Sequence, residues 1–180
     1  MSKATPFLSD VTELRRRARA NMEKGSITDS YQGDTKVACD ILNQALATEI
    51  VCVLRYKRHY YSAKGINKDA VAAEFLQHAN EEQGHADRIS ERITQLGGDP
   101  DLNPEGLATR SHSQYVEADN LADMIKENLV AERIAIESYT EIIRYFADKD
   151  ITTRRLMEEI LAVEEEHAND MLDLLDQYAS

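Results

Sequence analysis

The 180-residue chain is poor in the residues that punctuate a polypeptide: it has seven glycines, three prolines and no tryptophan. Tight turns depend on glycine and proline, so this scarcity excludes a fold of many short strands and hairpins. Positive charge is also scarce, with 21 Lys and Arg against 33 Asp and Glu, giving a formal net charge of −12. A surface of that sign excludes bulk binding to nucleic acid and favours a solvated exterior. No run of about 18 apolar residues occurs, and the opening residues MSKATPFLSD lack a hydrophobic signal core, so a cytoplasmic protein with no membrane partner is expected. Cys39 and Cys52 fall in one predicted helix. The intervening rise separates them by roughly 20 Å, too far for a disulfide, so they read as small buried side chains or free thiols.

What the chain does contain is helix-length blocks. Residues 35–64, 68–96, 117–147 and 150–178 lie between glycine and proline marks, with a shorter amphipathic segment near 8–23. Short connections around 65–67 and 147–150 force antiparallel neighbours, whereas the connection over 97–116 can run the full length of a helix. An antiparallel pair, a long crossover and a second antiparallel pair make the ferritin-like version of the all-α four-helix bundle. The expected organisation is an N-terminal helical extension over 1–32 followed by the bundle over 33–180.

Each block carries an apolar seam at spacings of three and four, and each seam contains a glutamate. The four are Glu49 between Leu46 and Val53, Glu82 between Ala79 and Ala86, Glu132 between Leu129 and Ile136, and Glu164 between Leu161 and Ala168. His85 and His167 follow Glu82 and Glu164 by three residues, on the same helix faces. The halves repeat: 33 residues separate Glu49 from Glu82, 32 separate Glu132 from Glu164, and Tyr56 and Tyr139 each lie seven residues after the unpaired glutamate of their half. This pattern reads as a duplicated helical hairpin.

Burying one unpaired carboxylate costs several kcal/mol, and four converging in a core repel one another. Two divalent cations would supply the compensating charge, with four carboxylates and two imidazoles as ligands. That donor set suits iron or manganese better than thiolate-seeking metals. Tyr56 and Tyr139 are expected as core aromatics with satisfied hydroxyls, with a hydrogen-bond donor behind a metal ligand or an electron source as the alternative for one of them. His78, one turn before Glu82, reads as a partly exposed helix histidine, with an accessory metal site as the sharper alternative; His59 and His112 carry no interpretable pattern. Gly84 costs a helix about 1 kcal/mol, and close packing near His85 is the expected reason. Arg15, Arg16, Arg17, Arg19 and Lys24 make the N-terminal segment basic. They read as a solvated face opposite Phe7, Leu8, Val11 and Leu14, or as a DNA-contacting arm confined to residues 1–24.

The stretches ATEIVCVLRY, EEQGHADRI, VAERIAIESY and ILAVEEEHAND resemble the four metal-bearing helices of bacterioferritins and the related Dps-like mini-ferritins, over about residues 33–176. The resemblance implies a hollow homo-oligomeric shell whose subunits oxidise Fe(II) with O2 or H2O2 at an intrasubunit di-iron centre and store a ferric mineral. It implies Glu49 and Glu132 as terminal ligands, Glu82 and Glu164 as bridges, and His85 and His167 as imidazole ligands. Gln83 stands where bacterioferritins carry their haem-ligating methionine, so haem is not expected. The chain ends 13 residues after His167, too few for the fifth bacterioferritin helix, which favours twelve subunits over 24. About 30 residues precede the first bundle helix, as in Dps-like proteins, yet all six ligands come from one bundle rather than from two subunits. The rival functions are a DNA-protecting nucleoid protein and a non-storing di-iron or di-manganese peroxidase; the Cys-x-x-Cys pairs of a rubredoxin module are absent.

Overall fold

The computed structural model describes residues 10–65 and 68–179. Among them are six α-helices and no strand: α1 Val11–Arg17, α2 Thr35–Ser62, α3 Lys68–Gln95, α4 Leu107–Arg110, α5 Leu121–Phe146 and α6 Ile151–Ala179. The four long helices span 26 to 29 residues, roughly 40 Å each. α2 packs along α3 and α5 along α6, and the pairs join through α2 with α5 and α3 with α6. The bundle is therefore the architecture expected from the seams.

Helix starts are fixed by side chains that accept from orphan amides. The Asp34 carboxylate accepts from the Lys36 and Val37 amides at 2.9 and 3.1 Å. The Asn120 side chain accepts from Asp123 N at 3.0 Å, which starts α5 at Leu121 rather than near 117. Asp150 Oδ1 accepts from Thr153 N at 2.9 Å at the head of α6. α3 ends where Gly97 adopts a φ of +83° and Gly98 N donates to Ile93 O at 3.0 Å. That is the glycine-closed helix terminus in which a left-handed residue returns the chain to its last turn. A Cβ on Gly98 would stand 2.5 Å from Cys39 Sγ, so this glycine is required by close approach to α2.

The crossover from α3 to α5 is pinned along α2 in sequence order. Asn43 donates to Asp99 O and accepts from Asp101 N; Thr48 Oγ1 accepts from His112 N. Further along, Arg55 Nη1 donates to Ser113 Oγ and Gln114 O, both at 3.0 Å, and His59 Nε2 lies 3.0 Å from Val116 O. The connection thus travels from the start of α2 to its end, so α5 points the same way as α3. His59 and His112, unread in the sequence, hold this strap to the bundle.

The seams are buried as expected at Leu42, Leu46, Tyr56, Phe75, Ala79, Ile89, Ile93, Ile125, Tyr139, Met157 and Met171. Each large side chain so buried contributes about 1.5–3 kcal/mol. α5 is rotated slightly from the expected seam: Asn128, Ala131, Ala135 and Ile142 are buried, while Leu129, Ile136 and Ile143 are half-buried. α2 is long and apolar enough to cross a membrane by composition. Here most of its apolar residues pack in the bundle, and its polar Glu49, Arg55 and His59 are buried with them. Cys39 and Cys52 are buried free thiols.

The N-terminal helix is shorter than expected. α1 stops at Arg17, and Asn21, at a left-handed φ of 52°, precedes a single 3-10 turn, Met22–Lys24. Its apolar stripe is not buried, since Val11 and Leu14 are exposed, and Phe7 and Leu8 lie outside the described residues. Arg16 forms a two-pronged hydrogen bond with Glu13 at 2.7 Å. The extension is anchored instead at its far end, where Ile27 and Tyr31 pack on the core.

Candidate metal centre

Four seam glutamates and two histidines meet at the middle of the bundle, contributed by α2, α3, α5 and α6. Glu49, Glu82, Glu132 and Glu164 are at most 1% exposed, and His85 and His167 are 5% and 2% exposed. Their inward atoms form two four-membered groups, Glu49, Glu82, His85 and Glu164, and Glu82, Glu132, Glu164 and His167, each within 4.8 Å. Glu82 and Glu164 belong to both. Around His85 Nδ1, oxygens of Glu164, Glu82 and Glu49 stand at 2.9, 3.3 and 3.5 Å. Around His167 Nδ1, those of Glu82, Glu164 and Glu132 stand at 3.5, 3.7 and 4.0 Å.

These separations suit cations. Donors about 2.1 Å from a common ion stand about 3.0–4.2 Å apart, depending on the angle between them. The polar accounting supports the same reading. Glu49 Oε2, Glu82 Oε1, Glu132 Oε2, both Glu164 oxygens and His167 Nδ1 are buried without a hydrogen-bond partner. Native interiors satisfy nearly all such atoms, and each orphan costs on the order of 1–3 kcal/mol. Six on one spot identify a place built to hold positive charge.

The outward atoms are by contrast held. Tyr56 Oη donates to Glu132 Oε1 and Tyr139 Oη donates to Glu49 Oε1, so each tyrosine fixes the seam glutamate of the opposite half that lacks a following histidine. His167 Nε2 lies 2.8 Å from Glu81 Oε2, an outer carboxylate that orients the ring and makes Nδ1 a better donor. Arg55, wholly buried on α2, hydrogen-bonds Asn128 Oδ1 at 2.9 Å through Nε and contributes a fixed positive charge close to the cluster.

Proton affinities follow from this crowding. Burial, with the Glu164 and Glu82 charges, pushes Glu49 well above the ordinary carboxylate range; burial, with the Glu82 and Glu164 charges, does the same for Glu132. Burial also opposes the charge on Glu82, but the polar groups of Glu49, His167 and His85 that face it outweigh burial and hold that carboxyl low. Burial disfavours the imidazolium of His85 and His167, yet the surrounding carboxylates raise them to about 12 and about 11. The raised affinities of Glu49, Glu132, His85 and His167 favour protons at the cluster, which a divalent ion would have to displace on binding.

A family model described as a ferritin-like domain matches residues 39–180. The chain belongs to the ferritin-like family. It is 30% identical to a bacterioferritin of Desulfovibrio desulfuricans over 129 residues, 71% of this chain and 68% of that protein. A solved bacterioferritin of that organism, described by its di-iron site, superposes with a TM-score of 0.70 at 26% identity, covering 79% of this chain and 80% of the other. A bacterioferritin-related protein of Bacteroides fragilis, described as a dodecameric thioferritin, superposes at 0.79 with 35% identity, covering 82% and 89%.

Every sequence-singled residue of the cluster is brought to one place, and both tyrosines touch it. Gln83, at the expected haem-ligand position, is half-buried and donates to Asp87 Oδ1 at 2.9 Å along the helix. Two expectations are corrected. His78 is fully buried rather than partly exposed, stacked on His167 with ring centroids 3.9 Å apart. Burial, followed by the His167 charge, lowers it to about 4. Gly84 is exposed, with nothing within 4 Å of where a Cβ would sit, so close packing does not explain it. Sequence reasoning missed Arg55 and Glu81. Glu81 is adjacent to Glu82 but off the apolar seam, so no periodicity marks it, while Arg55 carries no spacing signal that marks a buried cation.

Proposed function

We propose that this ferritin-like chain is a ferroxidase of iron storage and detoxification. Its bundle binds two Fe(II) ions per subunit, oxidises them, and delivers ferric iron to the cavity of a homo-oligomeric shell, with twelve subunits favoured. The observation that carries the reading is the pair of ligand groups sharing Glu82 and Glu164, with six buried donor atoms unpartnered. Glu49 and His85 would serve one ion, Glu132 and His167 the other, and the shared carboxylates would bridge them. Imidazole and carboxylate together suit Fe(II), with Mn(II) as the competing occupant.

In this reading two Fe(II) ions are the substrate: their two electrons reduce dioxygen to hydrogen peroxide or hydrogen peroxide to water, with two protons taken up. The chain supplies geometry. Tyr56 and Tyr139 hold the terminal glutamates in one orientation, Glu81 fixes the His167 ring, and the burial of all six ligand side chains keeps bulk water from them. The acidic surface raises the local concentration of cations, a gain that salt weakens. Replacing Glu82 or Glu164 by an apolar residue would take a ligand from both ions, whereas replacing Glu49 or Glu132 would take one from a single ion.

Stopped-flow absorbance after mixing Fe(II) with the aerated protein tests the oxidation. Glu82→Ala is expected to remove the rapid phase, slowing it at least about 100-fold, while the helical circular dichroism persists. An unchanged rapid phase in that variant contradicts the assignment. Storage is read from the same sample by size analysis: an electron-dense shell retaining many irons per subunit supports it, whereas a dimer holding two metals per chain supports the peroxidase reading.

A further inference from the structure

The two halves of the bundle are alike in ligands and unlike just outside them. On the His167 side, Glu74 and His78 of α3 face Asp170 of α6. His78 Nε2 lies 3.3 Å from Glu74 Oε1 and 3.5 Å from Asp170 Oδ2. The three side chains offer donor atoms within 4.8 Å of one another. The duplicated positions on the His85 side are Leu156, Ile160 and Arg88, none of which could complete such a set beside His85. The fold therefore does not demand this group.

The surroundings of His78 Nε2 make the arrangement informative. The other ring nitrogen, Nδ1, lies 3.2 Å from Tyr56 Oη. Nε2 lies between two carboxylates. That nitrogen is buried, on a side chain 1% exposed, and has no hydrogen-bond partner. Two carboxylates converging on a buried, unpartnered nitrogen favour a cation between them. Separations of 3.3 and 3.5 Å match donors about 2.1 Å from one ion at angles near 105° and 113°.

We propose that Glu74, His78 and Asp170 form a third, mononuclear divalent-cation site that takes Fe(II) from solvent and passes it to the paired centre. One imidazole and two carboxylates suit Fe(II) or Mn(II), with remaining positions open to water. Its two carboxylates reach solvent, being 32% and 39% exposed, while its imidazole is buried. The site is thus open on one side and separated from the paired centre by a single stacked ring. Glu81, partly exposed and within reach of both His78 and His167, offers the next carboxylate along the path. The proposal rests on the ferroxidase reading for its destination, but not for its ligands.

The test is anaerobic Co(II) titration of the intact assembly by calorimetry, with ion positions located by anomalous diffraction. Three Co(II) per chain are expected in the natural protein, one of them beside His78. The double substitution Glu74→Gln with Asp170→Asn is expected to bind two, losing that peak alone, and to slow Fe(II) oxidation about tenfold at low iron. Two ions per chain in both proteins, with no density at His78, would overturn the third site. Three ions with an unchanged rate at low iron would overturn its transit role. Density at His78 with none in the central pair would instead refute the ferroxidase reading while leaving this site standing.

Discussion

At the scale of residues, the centre is legible because burial and charge conflict. A glutamate in an apolar seam is expensive, and four in register on four helices leave a metal cluster as the economical explanation. His78 escaped that logic: periodicity gives the middle of a buried face but not its width, and only the facing α6 side chains settle where the ring goes. Gly84 escaped it differently, since an exposed helix glycine with open space around it has no packing signal at all. Gly84→Ala is therefore expected to raise stability by about 0.5–1 kcal/mol, because alanine costs less backbone entropy in a helix. A thermal melt checks this, and a lower midpoint would show that another copy of the chain approaches that spot in the assembly.

At the scale of elements, the helices and their antiparallel pairing follow from seams and punctuation, while the devices that clamp them do not. Arg92 near the end of α3 donates to both Asp150 oxygens at 2.9 and 3.1 Å and, through Nε, to Thr153 Oγ1 at 2.8 Å. Tyr31 of the extension donates to Asp150 Oδ2 at 3.1 Å. One buried carboxylate thus joins the extension, α3 and the start of α6, through partners 119 and 58 residues away that no local pattern pairs. Burial opposes its charge, but hydrogen bonds from Thr153 and the Arg92 charge hold the Asp150 carboxyl below its usual range. Its stabilisation is accordingly present above about pH 4 and is lost as pH falls through the depressed folded value. Asp150→Asn should lower unfolding free energy by about 3–5 kcal/mol at pH 7, because Arg92 loses its buried partner. Urea unfolding at pH 7 and pH 3 checks this; a gap that does not shrink at pH 3 would count against the ionised pair as its cause.

At the scale of the whole molecule, the net charge of −12 divides into two roles. Four acidic residues lie at the middle of the bundle, where the proposed function has cations neutralise them, and Asp150 is buried against Arg92; most of the others coat the surface, where they would attract cations. The basic residues of α1 are partly committed to Glu13, and the proposed cation route runs instead between Glu74 and Asp170 on the opposite kind of surface. The internal repeat, plain in the sequence, accounts for the paired ligand groups, and the places where the two halves differ would account for the proposed route on one side of them. The central claim is that one chain's bundle, unaided by a neighbour, holds two irons. Anomalous diffraction at the iron edge, from crystals of the intact assembly soaked anaerobically in Fe(II), measures that directly. Two peaks per chain are predicted inside the bundle, one bounded by Glu49, Glu82, His85 and Glu164, the other by Glu82, Glu132, Glu164 and His167. A single central peak, or iron found only between neighbouring subunits, would contradict it.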